Sequence, residues 1–201
     1  DFYKLPYLRK EELINGFPGE IVKDIDDFML STRSSGSSGK FVTIAVSQEA
    51  IYKDTLQTIR QFYMQSGKRY CADDTILFIY TCPWWTSQIK GKYVQDYLST
   101  TTKVTDAIEH IKQTRPRYIS TYPTYLGKIA STGVKLSDYG VELVIVHSEQ
   151  SDKTQRKMLA DMLNVEVLDE YSSEELTRIA LECPNHHYHL EEDACFIEIV
   201  D

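Results

Sequence analysis

RYISTYPTYLGKIASTGVKLSDYGVELVIVH, residues 117–147, sets the fold class. It opens on a short β-leaning run, RYIST (117–121), and closes on an almost continuous apolar one, VELVIVH (141–147). Between them YLGKIAST (125–132) reads as a helix. An apolar run of strand length without polar alternation is the signature of a strand covered on both faces. Strand, helix and strand in succession then imply a parallel sheet with helices packed against it.

The pattern extends in both directions. Upstream, TILFIYT (75–81) is a second buried-strand run, and VTDAIEHIKQT (104–114) is a helix ending before Pro116. Residues 48–65 predict an amphipathic helix, with Ile51, Thr55, Ile59, Phe62 and Tyr63 on one face. FMLST (28–32) and FVTIAVS (41–47) read as strands of a hairpin with a wide loop. A short charged helix, LRKEELIN (8–15), is broken by Gly16, Pro18 and Gly19. Downstream come a helix over 151–163, a strand VEVLDEY (165–171), an alternating tail from 178, and a strand FIEIV (196–200). The expected fold is α/β, a mostly parallel sheet flanked by helices.

The chain has 201 residues, 42% of them hydrophobic, enough for one domain with a real core. Its net charge of −8 and pI of about 5.2, without a basic stripe, argue against nucleic acid as a partner. A bound nucleotide stays compatible, because a few local donors hold a phosphate in an acidic protein. No apolar run reaches the length of a membrane span, and the start lacks a signal-peptide core. Four dispersed cysteines (71, 82, 183 and 195) point to a reducing, cytoplasmic setting. The chain does not begin with Met, which fits a fragment or a processed form.

Two segments carry candidate chemistry. The first is SSGSSGK, Ser34–Lys40. It does not fit the P-loop consensus: only two residues separate Gly36 from Gly39, and Phe41 rather than Ser or Thr follows Lys40. Small residues nevertheless let the backbone curl so that several N–H groups converge on an anion, and serine hydroxyls and Lys40 add donors and charge. The same composition suits a plain spacer. The second is EYSSEELTRIALEC (170–183). Tyr171 offers a flat face to a ring, and Glu174 and Glu175 offer carboxylates to Mg²⁺. SSEE also reads as a serine cap with acids opening a helix. A third cluster, CPNHHYHLEEDAC (183–195), holds Cys183, His187, His189 and Cys195, types that bind Zn²⁺ at a spacing that is not a standard finger. A solvated histidine loop beside a buried cysteine is its other reading.

Taken in order, these segments resemble the adenylate-forming superfamily. Ser-Ser-Gly-Ser-Ser-Gly-Lys is similar to its phosphate loop, Ser-Ser-Gly-Thr-Thr-Gly-Lys-Pro, and YSSEE to its Tyr-Gly-x-Thr-Glu. LPYLRKEEL, TYPTYLGKIA, HSEQSDKTQRKML and IALEC followed by HLEEDACFIEIVD resemble segments of the phenylacetate–CoA ligase-like (coenzyme F390 synthetase-like) branch. The resemblance runs over nearly the whole chain.

It implies an enzyme that joins a carboxylic acid to AMP from ATP and then passes the acyl group to CoA or an acyl-carrier protein. Ser34, Ser35, Gly36, Ser37, Ser38, Gly39 and Lys40 would hold the β- and γ-phosphates. Glu175 would hold Mg²⁺, or Glu174 if the alignment slips by one. Tyr171 would lie against adenine, and Ser148 and Glu149 would line the nucleotide pocket. Tyr80, Trp84 and Trp85 fall where the family builds its acyl pocket, suggesting an aromatic or apolar acid, although both tryptophans also suit a core. Phe41 stands in place of Pro, His147 and Ser172 in place of Gly, and Glu174 in place of Thr or Ser. Members of the family continue into a ribose-binding Asp, a hinge and a small C-terminal domain with a catalytic lysine. The implied organisation is therefore one partial adenylation domain over 1–201. A degenerate module that binds nucleotide or acyl group without catalysis is the alternative.

Overall fold

The computed structural model describes residues 5–22, 28–34, 39–83 and 88–198. The elements run α1 (Lys10–Gly16), β1 (Phe28–Arg33), β2 (Thr43–Ser47), α2 (Gln48–Gln65), β3 (Ile76–Tyr80), β4 (Gln95–Ser99), α3 (Val104–Thr114), β5 (Tyr118–Thr121), α4 (Pro123–Ala130), a 3₁₀ turn (Leu136–Tyr139), β6 (Leu143–Val146), α5 (Lys153–Leu163), β7 (Glu166–Ser173), β8 (Thr177–Glu182) and β9 (Tyr188–Leu190).

Seven strands form one sheet in the order β4-β3-β5-β6-β7-β8-β9. β4 through β7 are parallel, and β8 and β9 return antiparallel. β4 lies on one side of β3. The chain then passes through α3 and comes back to place β5 on the other side. β3 is thus where the winding reverses, the position at which open α/β sheets form a crevice beyond their strand ends.

Strand parity divides the core. Leu77, Ile79, Ile119, Val144, Val146 and Val167 face a layer built from α3, α4 and α5. Their neighbours Ile76, Phe78, Tyr118, Leu143, Ile145 and Leu168 pack with Phe62 of α2 and Tyr70 on the opposite face. Helix faces obey the same logic: Ala107, Ile108 and Ile111 of α3 are buried at i, i+1 and i+4.

α2 departs from its expected apolar face. Its bounds match the prediction, but its buried positions are Asp54, Thr55, Thr58, Gln61, Phe62 and Gln65, and Tyr63 is exposed. Side-chain hydrogen bonds replace apolar contact there. Gln65 donates to the backbone carbonyls of Asp169 and Glu182 (3.1 and 2.9 Å), tying α2 to β7 and β8. Arg178 on β8 donates to Asp54 and to Gln61, each at 2.5 Å.

β1 and β2 form a separate antiparallel hairpin. β2 leads straight into α2, whose N-cap Ser47 accepts from the Ala50 N–H at 3.1 Å.

The C-terminal third differs from expectation in two places. SSEE opens no helix: residues 174–176 turn, and β8 follows. FIEIV is not a strand over 196–198, and its remaining residues lie outside the described ones. No helix among the described residues is long and apolar enough to cross a membrane.

Candidate functional site

A cavity of about 490 Å³ opens beyond the C-terminal ends of the parallel strands. Phe78, Tyr80 and Thr81 reach it from β3 and its exit, Ser120 and Tyr122 from β5, and His147 and Ser148 from β6. Glu170, Ser172, Ser173 and Glu174 arrive from β7 and its turn, Thr177 and Arg178 from β8, and Arg33 and Ser34 from the β1–β2 hairpin. The cavity lies at the reversal point of the winding, where β3, β5, β6 and β7 each contribute side chains.

The rings of Tyr80 and Tyr122 stack 5.2 Å apart and within 5° of parallel. His147 leans against both, at 5.4 and 5.5 Å. Burial holds the His147 imidazole below its ordinary pKa, so the ring is neutral near pH 7. Its Nδ1 lies 2.8 Å from Ser148 Oγ. Ser148 itself is exposed and sits at a left-handed φ of +63°, a conformation that costs a non-glycine residue energy and recurs at functional sites.

Glu170 and Arg178 supply the buried charges. Burial by itself raises the Glu170 carboxyl, but the Arg178 guanidinium, with side-chain hydrogen bonds from Ser172 and Gln61, holds it below the usual value, so it is ionised. Gln61 donates to it at 2.7 Å. Arg178 is spent largely on Asp54, and its Nε stays 3.6 Å from Glu170.

The hairpin and the sheet meet at the cavity mouth. Thr32 of β1 donates a short hydrogen bond to Glu174, across 142 positions of sequence. Ser34 closes the base of the hairpin loop: its N–H donates to the Val42 carbonyl (3.0 Å), and its hydroxyl accepts from the Val42 N–H (2.9 Å).

The structure distributes the residues singled out from sequence unevenly. Ser34, Tyr80 and Ser148 line the cavity. Ser35, Gly36, Ser37, Ser38, Trp84 and Trp85 lie outside the described residues. Gly39 and Lys40 are exposed, and Lys40 pairs with Glu11 at 3.1 Å rather than facing the cavity. Glu175 is exposed, whereas Glu174 lines the cavity. Tyr171 is exposed on β7 and outside the cavity lining. Glu149 turns away to α4, where it accepts from the backbone N–H and the hydroxyl of Thr124 (3.0 and 2.8 Å) and serves as an acidic cap.

The zinc arrangement is corrected. Among the described residues no group of three or more His, Cys, Asp or Glu side chains could hold a metal ion. The β8–β9 connection explains why Cys183, His187, His189 and Cys195 stay apart. Cys183 N–H donates to the His187 carbonyl, closing the turn through backbone atoms. His189 is opposite Leu181 in the ladder, and Cys195 Sγ leans on the Glu191 carbonyl. His186 pairs instead with a glutamate, its Nδ1 3.0 Å from Glu182.

That glutamate belongs to a network the sequence did not reveal. Glu182 is fully buried, accepts from Arg156 Nη2 (2.9 Å), and caps the Asp169 N–H (2.8 Å). Arg156 in turn donates to the Ser151 carbonyl (2.7 Å), fixing the loop that carries Ser148. Phe78, Ser120, Tyr122, Glu170 and Arg178 were also missed. The one available signal was position, since Ser120, Tyr122 and Arg178 sit at or beside a strand end that faces the crevice.

No family model matches the sequence, and no curated protein matches it. Solved structures do match the fold. 2-Hydroxyisobutyryl-CoA ligase, in complex with 2-HIB-AMP and CoA in the thioesterification state, superimposes with a TM-score of 0.69 at 10% identity, over 90% of this chain and 42% of that one. A long-chain-fatty-acid–CoA ligase from Archaeoglobus fulgidus gives 0.58 at 12% identity, over 80% of this chain and 34% of that one. A luciferase-like enzyme from the nonluminescent Zophobas morio mealworm gives 0.56 at 19%, over 85% and 39%. The mostly parallel sheet with its flanking helices is therefore the fold shared with these enzymes. The chain spans about two-fifths of the length of the ligases it resembles.

Proposed function

We propose that this chain is the nucleotide- and acid-binding centre of an adenylate-forming acid–thiol ligase of the phenylacetate–CoA ligase-like branch. In that reaction a carboxylate oxygen attacks the α-phosphorus of ATP, pyrophosphate leaves, and the acyl group then passes from AMP to the thiol of CoA or a carrier protein. Two anionic groups must be brought together, so positioning and charge neutralisation carry the chemistry.

One observation carries the reading: the base of the Ser/Gly loop and the β7–β8 turn line a single cavity and are joined by Thr32 and Glu174. On this reading the backbone and hydroxyls of Ser34–Gly39 take the β- and γ-phosphates, and Arg33 faces the same anion. Ser148 lines the nucleotide site, and Tyr80, Tyr122 and His147 form the wall against which the acid rests. Lys40 reaches the phosphates only after leaving Glu11, a separation of two exposed groups that costs little.

The Mg²⁺ that accompanies ATP typically takes one or two carboxylates and completes its shell with phosphate oxygens and water. One carboxylate meets that demand, and of the two that line the cavity, Glu170 and Glu174, Glu174 is the one at the loop. When bound, the ion would neutralise phosphate charge. Glu174 would hold it, and Glu175, exposed to solvent, would not.

Calorimetry with ATP–Mg²⁺ tests this. Glu174→Gln and Lys40→Ala should each weaken binding about tenfold, whereas Glu175→Gln should leave it unchanged. Equal affinity in all three and the parent would remove the phosphate site. ATP–pyrophosphate exchange with a panel of acids then separates catalysis from the second reading, a module that binds without turnover. The exposed Lys40–Glu11 pair favours that second reading, since it draws the loop cation away from the cavity.

A further inference from the structure

β6 ends in a sharp corner. The strand is buried through Val146, His147 closes it, and Ser148 turns the chain at a φ of +63° into the loop that leads to α5. A serine in the left-handed region, between a buried parallel strand and a helix, presents its hydroxyl above the strand ends, the arrangement by which α/β hydrolases expose a nucleophile. Ser148 is exposed and lines the cavity. Arg156 steadies the corner from behind through the Ser151 carbonyl.

Two groups converge on that hydroxyl. His147 Nδ1 lies 2.8 Å from Ser148 Oγ, within reach for a base to take its proton. The Tyr80 phenol hydrogen-bonds the same serine. Burial keeps the His147 ring neutral, and with its proton on Nε2 the Nδ1 lone pair accepts from the hydroxyl. The charges of Glu170, Asp169 and Glu149 favour the imidazolium that a transferred proton would make, and Arg178 opposes it. Packing against Tyr80 and Tyr122 fixes the ring in place. A serine beside an oriented base is the general form of an activated nucleophile, recognised by geometry rather than by sequence order. Ser131 shows the contrast: equally exposed, it donates its hydroxyl to the Lys128 carbonyl at 2.7 Å, which cannot take the proton.

We infer that Ser148 is a nucleophile with His147 as its base, and that the cavity accepts an acyl ester or thioester and transfers its acyl group to Ser148 Oγ. The bond from Oγ to the carbonyl carbon forms as the Oγ proton passes to His147 Nδ1. The bond from that carbon to the leaving oxygen or sulfur breaks, and the leaving atom takes the proton from Nδ1. Water then attacks the acyl-serine and gives a proton to Nδ1, which returns it to Oγ as the carboxylic acid leaves. The Tyr80 phenol, beside Oγ, donates to the carbonyl oxygen as that oxygen becomes negative. No nucleotide takes part, so this activity goes beyond the ligase reading and stands independently of it.

A fluorophosphonate probe, which forms a stable adduct with activated serines, tests this on the unmodified chain, with the adduct mapped by peptide mass spectrometry. The adduct is expected on Ser148, absent in Ser148→Ala, formed about a hundredfold more slowly in His147→Gln, and unchanged in Ser131→Ala. Circular dichroism confirms that each variant is folded. p-Nitrophenyl butyrate and S-butyryl-N-acetylcysteamine supply the ester and thioester arms. Turnover of either one, lost in Ser148→Ala, supports the inference, and its rate should be level above about pH 6.5 and fall at lower pH as His147 takes a proton. No adduct on Ser148 in the parent chain overturns the inference, as does labelling of Ser131 at a similar rate, labelling of His147→Gln at the parent rate, or turnover of neither ester nor thioester. Calorimetry with ATP–Mg²⁺ on the same chain keeps the two readings apart. Nucleotide binding without a Ser148 adduct sinks this inference alone, and an adduct without nucleotide binding sinks the ligase reading alone.

Discussion

At the residue scale the decisive placement is that of Glu174 against Glu175. Adjacent acids at the mouth of a hairpin point in different directions, and nothing in the sequence says which one faces inward. The turn over 174–176 settles it by geometry: Glu174 reaches Thr32, and Glu175 points to solvent. His147 raises a similar point. A histidine at the end of a buried strand is compatible with several roles, and only packing against Tyr80 and Tyr122 makes it a neutral ring in a cavity wall. That neutrality has a measurable consequence. The folded-state pKa lies below the ordinary value of 6.5, so the unfolded chain binds more protons between the two values. His147 therefore stabilises the fold above about pH 6.5, and the contribution is lost as pH falls through that window. Urea midpoints of the parent chain should drop between pH 7 and pH 5 more steeply than those of His147→Asn. Parallel profiles would show that the ring titrates freely in the folded state.

At the element scale, legibility follows burial symmetry. β3 and β6 are covered on both faces and announce themselves as ILFIY and LVIV. α2 was readable in its bounds because Ser47 caps it, but not in its packing, because its buried face is hydrogen-bonded rather than apolar. β4 was invisible: QDYLS is half-buried throughout, at the edge of the sheet, with one aliphatic residue. β8 was obscured by the serines and acids before it, which imitate a helix start. The cysteines and histidines of the tail were legible as ligand types, but backbone pairing through β9 keeps them apart. The β1–β2 hairpin stands outside the main sheet and meets the β7–β8 turn through the Thr32–Glu174 bond. Segments with few buried contacts open first. Amide hydrogen exchange should therefore be fast in 28–33 and 43–46 and slow in 76–79, 118–121 and 143–146, with ATP–Mg²⁺ slowing the hairpin selectively. Equal protection of hairpin and central strands would contradict this layout.

At the scale of the whole molecule, stability depends on the two apolar layers that clamp the sheet. Ile119 lies at the centre of the larger layer, fully buried on β5. Truncation of such a side chain removes its transfer free energy and leaves a void, a loss of about 2–5 kcal/mol. Ile119→Ala should lower the urea midpoint accordingly, while Leu56→Ala on the exposed face of α2 stays within about 0.5 kcal/mol. A similar effect for both would mean that α2 is covered by another surface in solution. The fold class was legible at this scale because a parallel sheet needs long apolar strands and crossover helices, and both leave periodic marks. The cavity was only half legible, since its walls come from six separate segments whose meeting is a matter of topology.

The bond between Thr32 and Glu174 also has a temporal meaning. Its donor leaves the ribosome long before its acceptor, separated by 142 positions. At the usual elongation rate of about 5–20 residues per second, the interval is roughly 7–30 s. Through that time the hairpin lacks its counterpart, so the cavity is assembled at the end of synthesis rather than grown outward from its first-made part.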